Sequence, residues 1–177
     1  MAKNYFKITD NPKVKTSEII EECKKLFPVW TYKDITDKEF PPPKKQTTRY
    51  FKKNVEADED LKNLSADDLK EKGEKGITLR ERLIMELDYF KETGKHLDIR
   101  SSTLCSGSRD SDGGVPIVDW YDGRPDILWY DSGNRSDNLR ARAAVEFREL
   151  EDKDVSLEQR VKELENKIDK IQKFLII

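Results

Sequence analysis

Residues Cys105–Phe147 read CSGSRDSDGGVPIVDWYDGRPDILWYDSGNRSDNLRARAAVEF, and the reading of this stretch decides the fold. From Leu97 to Val145 there is no Lys and no Glu, although charged residues make up 40% of the chain. The quoted stretch holds five of the eight glycines and two of the three tryptophans. Val115–Tyr121 and Asp126–Tyr130 predict two strands joined through Asp122-Gly123-Arg124-Pro125, a hairpin with a turn signal. Side chains alternate across a strand. Val118 and Trp120 therefore pair with Ile127 and Trp129 on a buried face. The opposite face carries Asp119, Tyr121, Leu128 and Tyr130. Tyr and Asp on a sheet, with Ser, Gly and Asn in the flanking loops, form the palette of a binding surface. Ser106-Gly107-Ser108 and Ser111-Asp112-Gly113-Gly114 predict turns. Leu97–Leu104 predicts a strand. Leu139–Val145 either closes the sheet or continues as helix, since Ala and Arg favour helix.

Working back toward the N-terminus, Leu79–Thr93 predicts the clearest helix. Thr78 and Glu81 form a capping box, Leu79, Leu83, Ile84, Leu87 and Phe90 make a buried stripe, and Gly94 is placed to end it. His96 follows as a capping or packing residue. Ser65-Ala66-Asp67-Asp68 predicts a capped, short surface helix that ends near Gly73. Phe40-Pro41-Pro42-Pro43 reads as a rigid connector that packs Phe40. Val29–Tyr32 predicts a short strand. Thr16-Ser17-Glu18 opens a helix with Ile19, Ile20, Cys23, Leu26 and Phe27 on one face, ended by Pro28. Residues 1–15 read as an extended arm.

Toward the C-terminus, Leu157, Val161, Leu164, Ile168, Ile171 and Leu175 recur at spacings of 4, 3, 4, 3 and 4, a heptad seam. The expectation is a homo-oligomer through this helix, with the strand number open and a trimer among the options. Arg160 and Glu165 flank the seam.

Composition bounds the function. A net charge of −2 argues against a non-specific polyanion binder, so nucleic acid is not the expected partner. No apolar run is long enough to span a membrane, and residues 1–13 lack the apolar core of a secretory signal. Cys23 and Cys105 lie on different elements, which argues for a reducing interior, the cytoplasm, over a disulfide framework. One His and two distant Cys do not assemble a zinc site. Seven aspartates lie within residues 110–137, but not in a calcium-loop spacing. Cys105 and His96 are the one Cys/His pair near in sequence, and no third group orients them. The reading is therefore not an enzyme, with no cofactor and no metal.

The segment Ser106-Gly107-Ser108-Arg109, Val115-Pro116, Trp120, Trp129-Tyr130-Asp131 and Asn134-Arg135-Ser136-Asp137-Asn138-Leu139-Arg140-Ala141-Arg142 resembles the variable regions of diversity-generating retroelement target proteins. The resemblance covers about 40 residues. It implies a C-type-lectin-like fold, of the subtype also found in formylglycine-generating enzymes. It also implies that asparagine codons of the AAC type are miscopied into NNC codons. Those codons cannot encode Lys, Glu, Gln, Met or Trp, and residues 105–142 contain no Lys, Glu, Gln or Met. Two departures stand. Leu139-Arg140-Ala141-Arg142 replaces the family's glycine-phenylalanine-arginine ending, and a heptad seam follows the variable segment.

The expectation is an α+β chain in three parts. Residues 1–75 form an N-terminal helical extension. Residues 76–147 form the C-type-lectin-like core, with a variable region at 105–142. Residues 148–177 form a coiled-coil helix. The positions expected to face a ligand, in class a protein, are Asp110, Asp112, Gly114, Ile117, Asp119, Tyr121, Asp126, Leu128, Tyr130, Asp131, Asn134 and Ser136. The competing expectations are a phage-related assembly protein, virion-associated and oligomeric through the tail, and an enzyme on the formylglycine-generating scaffold. The second lacks the paired cysteines it would need, since Cys105 has no nearby second Cys.

Overall fold

The computed structural model describes residues 4–145, 157 and 159–168. The architecture is mixed α and β, with two sheets. In chain order, β1 is Tyr5–Asp10, α1 Thr16–Lys24, β2 Trp30–Thr31 and β3 Thr47–Lys52. A 3-10 turn at Glu59–Leu61 precedes α2 at Ala66–Glu71 and α3 at Leu79–Thr93. Then come β4 Ser102–Leu104, β5 Val115–Tyr121, β6 Arg124–Tyr130, β7 Leu139–Ala141 and β8 Ala144–Val145. The first sheet has the order β1-β3-β8 and the second β2-β6-β5-β4-β7. Of the described residues, 4–144 group as one compact unit, and those from 145 onward group separately.

The helices start where their local chemistry says they should, with one exception. Ser65 and Thr78 accept from the third backbone N–H of α2 and α3, and Asp68 and Glu81 reach back to close both capping boxes. Gly94 ends α3 in the left-handed region, with a φ of 67°. The exception is α1. Its cap position is Lys15, whose backbone N–H donates to Glu18 Oε2 at 2.8 Å. Thr16 lies inside the helix and is buried, its hydroxyl bonded to the Phe40 carbonyl and to Arg80. Leu26, expected on the buried face, is exposed.

The N-terminal arm is a strand. β1 pairs antiparallel with β3 from Tyr5–Lys52 to Asp10–Thr47, and Ile8 and Asp10 are buried. Asp10 accepts two bonds from the Arg80 guanidinium of α3, at 2.9 and 2.5 Å. Residues 4–75 therefore belong to the same compact unit as the hairpin and are no separate extension. Arg80 is itself buried, so Asp10 answers a charge that an extended arm would leave unpaired.

β5 and β6 form the expected hairpin, in the register Val118–Ile127 and Asp119–Asp126. The connection is shorter than expected. Asp122 and Gly123 alone make the turn, with φ of 50° and 77°, and Arg124 and Pro125 already belong to β6. Two left-handed residues give the turn whose twist matches the flanking strands. Leu139–Val145 resolves as strand: β7 runs parallel to β4, and β8 joins the first sheet.

Both faces of the second sheet are covered. On one face, Val118, Ile127 and Trp129 pack with Ile19 and Ile20 of α1, Leu79 and Leu83 of α3, Phe40 and Cys105. On the other, Val115, Ile117, Leu128 and Tyr130 pack with Leu61, Ala66 and Leu69. The two-residue β2 adds the edge strand, parallel to β6 through Trp30–Asp126 and Thr31–Ile127.

Candidate functional site

The Tyr/Asp face of the hairpin is the place to look for the ligand surface, and the register places its residues in rows. Going from the base of the hairpin to its tip, the rows on this face are Val115–Tyr130, Ile117–Leu128, Asp119–Asp126 and Tyr121–Arg124. Leu104 extends the second row, and Trp30 extends the third. The first two rows are apolar and lie under α2 and the 3-10 turn. The last two are polar and lie beyond that cover.

At the tip, Tyr121 is 66% exposed. Trp30 is 39% exposed and Tyr32 70%, and their rings sit edge to face, 6.4 Å between centroids. Asp119 is half-buried; its Oδ1 accepts from the Ser102 hydroxyl and from the Trp120 backbone N–H, each at 2.9 Å. Arg124 Nε donates to Asp126 Oδ1 at 2.9 Å, which ties that carboxylate down. Tyr121 and Trp30 are thus exposed aromatic side chains on strands, and Tyr32 is one just past β2. Aromatic side chains and Arg concentrate binding energy in protein interfaces.

The twelve expected ligand positions do not form one patch. Asp119, Tyr121 and Asp126 lie near the tip. Asp110, Asp112, Gly114, Asp131 and Asn134 lie in loops at the base, about 20 Å away along seven-residue strands. Asp112, Tyr121, Asp131 and Asn134 are exposed, and Asp119 and Ser136 are half-buried.

Six positions are structural instead of displayed. Ile117 is 1% exposed and faces the α2 cover. Leu128 and Tyr130 pack against the same cluster. Asp126 is buried and paired with Arg124. Asp110 is buried and organises its own loop: Oδ1 accepts from the backbone N–H of Asp112 at 3.0 Å and of Gly114 at 2.7 Å. Its Oδ2 takes Lys33 Nζ at 2.5 Å. Burial pushes the Asp110 carboxyl up, but Lys33 and the two N–H groups outweigh it and hold it below the usual carboxylate value. A side chain at Gly114 would displace the Asp110 carboxylate, because a Cβ would stand 2.8 Å from Asp110 Oδ2.

Trp30, Tyr32 and Arg124 were not on the expected list. Trp30 and Tyr32 sit far from the hairpin in sequence, and only the parallel pairing of β2 brings them beside it. The signal available was an aromatic pair two residues apart, which a strand puts on one face.

The candidate catalytic groups take other roles. Cys105 lies in the core at 0% exposure, and burial pushes its thiol up to about 12. Cys23 is equally buried, and its thiol likewise rises to about 12. Neither carries a thiolate at neutral pH, the form that attacks. His96 is boxed by Trp120, Phe90 and Phe27, at 4.4, 4.7 and 5.0 Å between ring centroids. Its Nδ1 lies 2.8 Å from Glu86 Oε1. Among the described residues no group of three or more His, Cys, Asp or Glu is placed to hold a metal ion.

A cleft of about 380 Å³ and a neighbouring one of about 490 Å³ share Arg49, Thr78, Gly107 and Arg109 in their walls. The two arginines they share are bonded to the protein itself. Arg49 binds Glu81 at 2.7 Å and the carbonyls of Lys75 and Gly76. Arg109 binds the carbonyls of Ser106 and Ser108. Thr78 Oγ1 donates to Glu81 Oε2 at 3.0 Å in the wall of the first cleft, as part of the capping box of α3.

Of the six heptad positions, Leu157, Val161, Leu164 and Ile168 lie on a helical segment and are exposed. Ile171 and Leu175 lie outside the described residues. Comparisons of the chain with protein-family models, with curated proteins and with solved structures return no match.

Proposed function

We propose that the chain is a non-catalytic binding protein with a C-type-lectin-like fold, and that its hairpin and the loops that flank it present a diversified surface to a protein ligand. One observation carries the reading. Tyr121 and Trp30 stand exposed on strands and Tyr32 just past β2, while the rows of the hairpin toward its base are packed on both faces. Exposed aromatic rings on a rigid frame contribute contact area at low entropic cost.

The resemblance of residues 106–142 to retroelement-diversified regions supports the second half of the reading. Under it, Trp120 and Trp129 are fixed scaffold residues, as their packing against His96 and the helical core requires. Asp112, Asp119, Tyr121, Asp131, Asn134 and Ser136 are the positions free to vary. Trp30 and Tyr32 lie outside the diversified segment and act as constant anchors beside it. The buried thiol of Cys105 weighs against the enzyme alternative.

The test is a library of the full chain randomised at Asp112, Asp119, Tyr121, Asp131, Asn134 and Ser136. Most members are expected to melt within a few degrees of the parent, and selection against an arbitrary globular protein is expected to yield binders that Trp30→Ala weakens. If most members unfold, or no binder uses the tip, the reading fails.

A further inference from the structure

Leu157, Val161, Leu164 and Ile168 are 56%, 51%, 57% and 53% exposed. They follow one another at steps of 4, 3 and 4 along a helical segment, so they form a single apolar stripe. An apolar stripe of this kind on a helix is a surface for another helix. We propose that it is covered by the same stripe of a second copy of the chain, in a parallel, in-register, two-stranded coiled coil.

Three features of the segment select this partner. The first is the core layers. The three-residue step from Val161 to Leu164 runs from the first core position of a heptad to the second. Val161 and Ile168 therefore share the first position, and Leu157 and Leu164 share the second. β-Branched residues at the first position with Leu at the second favour two parallel strands, whereas Ile at both positions favours higher orders. The six-residue seam left the strand number open because Ile171 and Leu175 invert this pattern. The pattern over Leu157–Ile168 favours two strands, and the mass measured below decides against the trimer.

The second feature is charge. Arg160 and Lys167 precede the first core position of their heptads, and Glu165 follows the second core position. In a parallel in-register pair, Arg160 faces the partner's Glu165, five residues on, and symmetry makes the contact twice. An antiparallel pair with Val161 packed on the partner's Leu164 sets basic flanking positions against each other, Arg160 against the partner's Lys167, and acidic ones likewise. Like charges there select against that orientation.

The third feature is repetition. Lys153 and Glu158 repeat the same signs at the same spacing one heptad earlier in the sequence. Two heptads with one sign rule are a register mark that a merely solvated face does not need.

The inference is independent of the ligand-binding reading. If both hold, a parallel pair joins two ligand-binding units and multiplies a weak contact into avidity.

The experiment uses the full chain in sedimentation equilibrium. A concentration-dependent species of twice 20.7 kDa is expected, and Leu164→Glu is expected to abolish it. Arg160→Glu and Glu165→Arg are each expected to weaken dimerisation about tenfold, and the double variant Arg160→Glu/Glu165→Arg to restore it. Leu157→Cys is expected to give an interchain disulfide on oxidation, since Cys23 and Cys105 are buried and do not compete. The substituted side chains lie outside the compact unit that holds every Trp and Tyr, so the near-ultraviolet spectrum is the same in every variant. A monomer at all concentrations overturns the proposal, as does a trimeric mass. A double variant as weak as the singles, or a dimer in which Leu157→Cys does not cross-link, overturns the parallel register.

Discussion

Arg142 Nη2 and Asp98 Oδ1 meet at 2.7 Å across 44 residues, and both side chains are nine-tenths or more buried. Arg142 also donates to the carbonyls of Asn54 and Val55. Asp98 takes Arg82 Nε and the Thr103 hydroxyl on its other oxygen. Arg82 in turn binds Glu86, which holds His96. The segment that closes the second sheet is thus pinned to α3 by one buried charge network. Removing one member strands its neighbours without water. Arg142→Ala is expected to cost about 3 kcal/mol or more. Urea unfolding checks this through the transition midpoint.

The same network sets the response to acid. Burial alone raises the Asp98 carboxyl, but Arg142, Arg82 and the Thr103 hydroxyl outweigh it and hold it below its ordinary 3.8. Glu86 is likewise raised by burial but held below 4.5 by Arg82 and His96. Folded values below unfolded ones contribute stability that is present above the unfolded pKa and is lost as pH falls through the folded pKa. The melting temperature is therefore expected to be level above about pH 5 and to fall below about pH 4. Asp98→Asn, already destabilised at neutral pH, is expected to show a flatter acid limb in the same scan.

Asp58 carries the opposite sign. Burial pushes its carboxyl above 3.8, more than Lys52 and the Ala143 N–H pull it down, and Oδ1 has no hydrogen-bond partner. A raised folded pKa contributes stability below the unfolded value that is lost as pH rises through the folded value. The ionised carboxylate is thus a cost at neutral pH. Asp58→Asn is expected to raise the urea midpoint at pH 7 and to leave it unchanged near pH 3. A lower midpoint at pH 7 contradicts this account of Asp58.

Gly76 lets two chain segments touch. A Cβ at this position would lie 1.7 Å from Ser106 Oγ and 3.0 Å from Ser106 Cβ. Gly76→Ala is expected to destabilise by about 1–3 kcal/mol, the usual cost of overpacking. Pairing it with Ser106→Gly removes both clashing atoms and is expected to recover most of the loss. A double-mutant cycle on melting temperatures measures the coupling.

Legibility in the sequence followed the range of the interactions. The capping boxes of α2 and α3 and the place of the hairpin turn are local and readable, whereas the Lys15 cap of α1 and the two-residue length of the turn are not. Alternation placed Val118 and Ile127 on one face and Ile117 and Leu128 on the other. It did not reveal that the second face is covered too, because α2 looks charged and only Leu69 shows its buried side. The unbroken apolar run Val115–Val118 was the available sign of a strand buried on both faces. Arg80, Arg82, Glu86, Asp98 and Arg142 could not be placed in the interior from sequence. A buried charge makes sense only beside its partner, and these partners come from distant segments. The ligand surface was half legible for the same reason. Tyr121 could be read from alternation, whereas Trp30 and Tyr32 needed the pairing of β2 with β6.

The account's central claim is that the hairpin and its loops display side chains that vary while the frame is kept. Deep sequencing of the gene across a population of its source tests this most directly. The account predicts NNC codons and variation concentrated at Asp112, Asp119, Tyr121, Asp131, Asn134 and Ser136. It also predicts a near-identical copy of the segment in the same genome with adenines at those codons, and constant Trp30, Ile117, Trp120 and Trp129. A uniform sequence with no such copy, or variation spread equally over Ile117 and Tyr130, would contradict it.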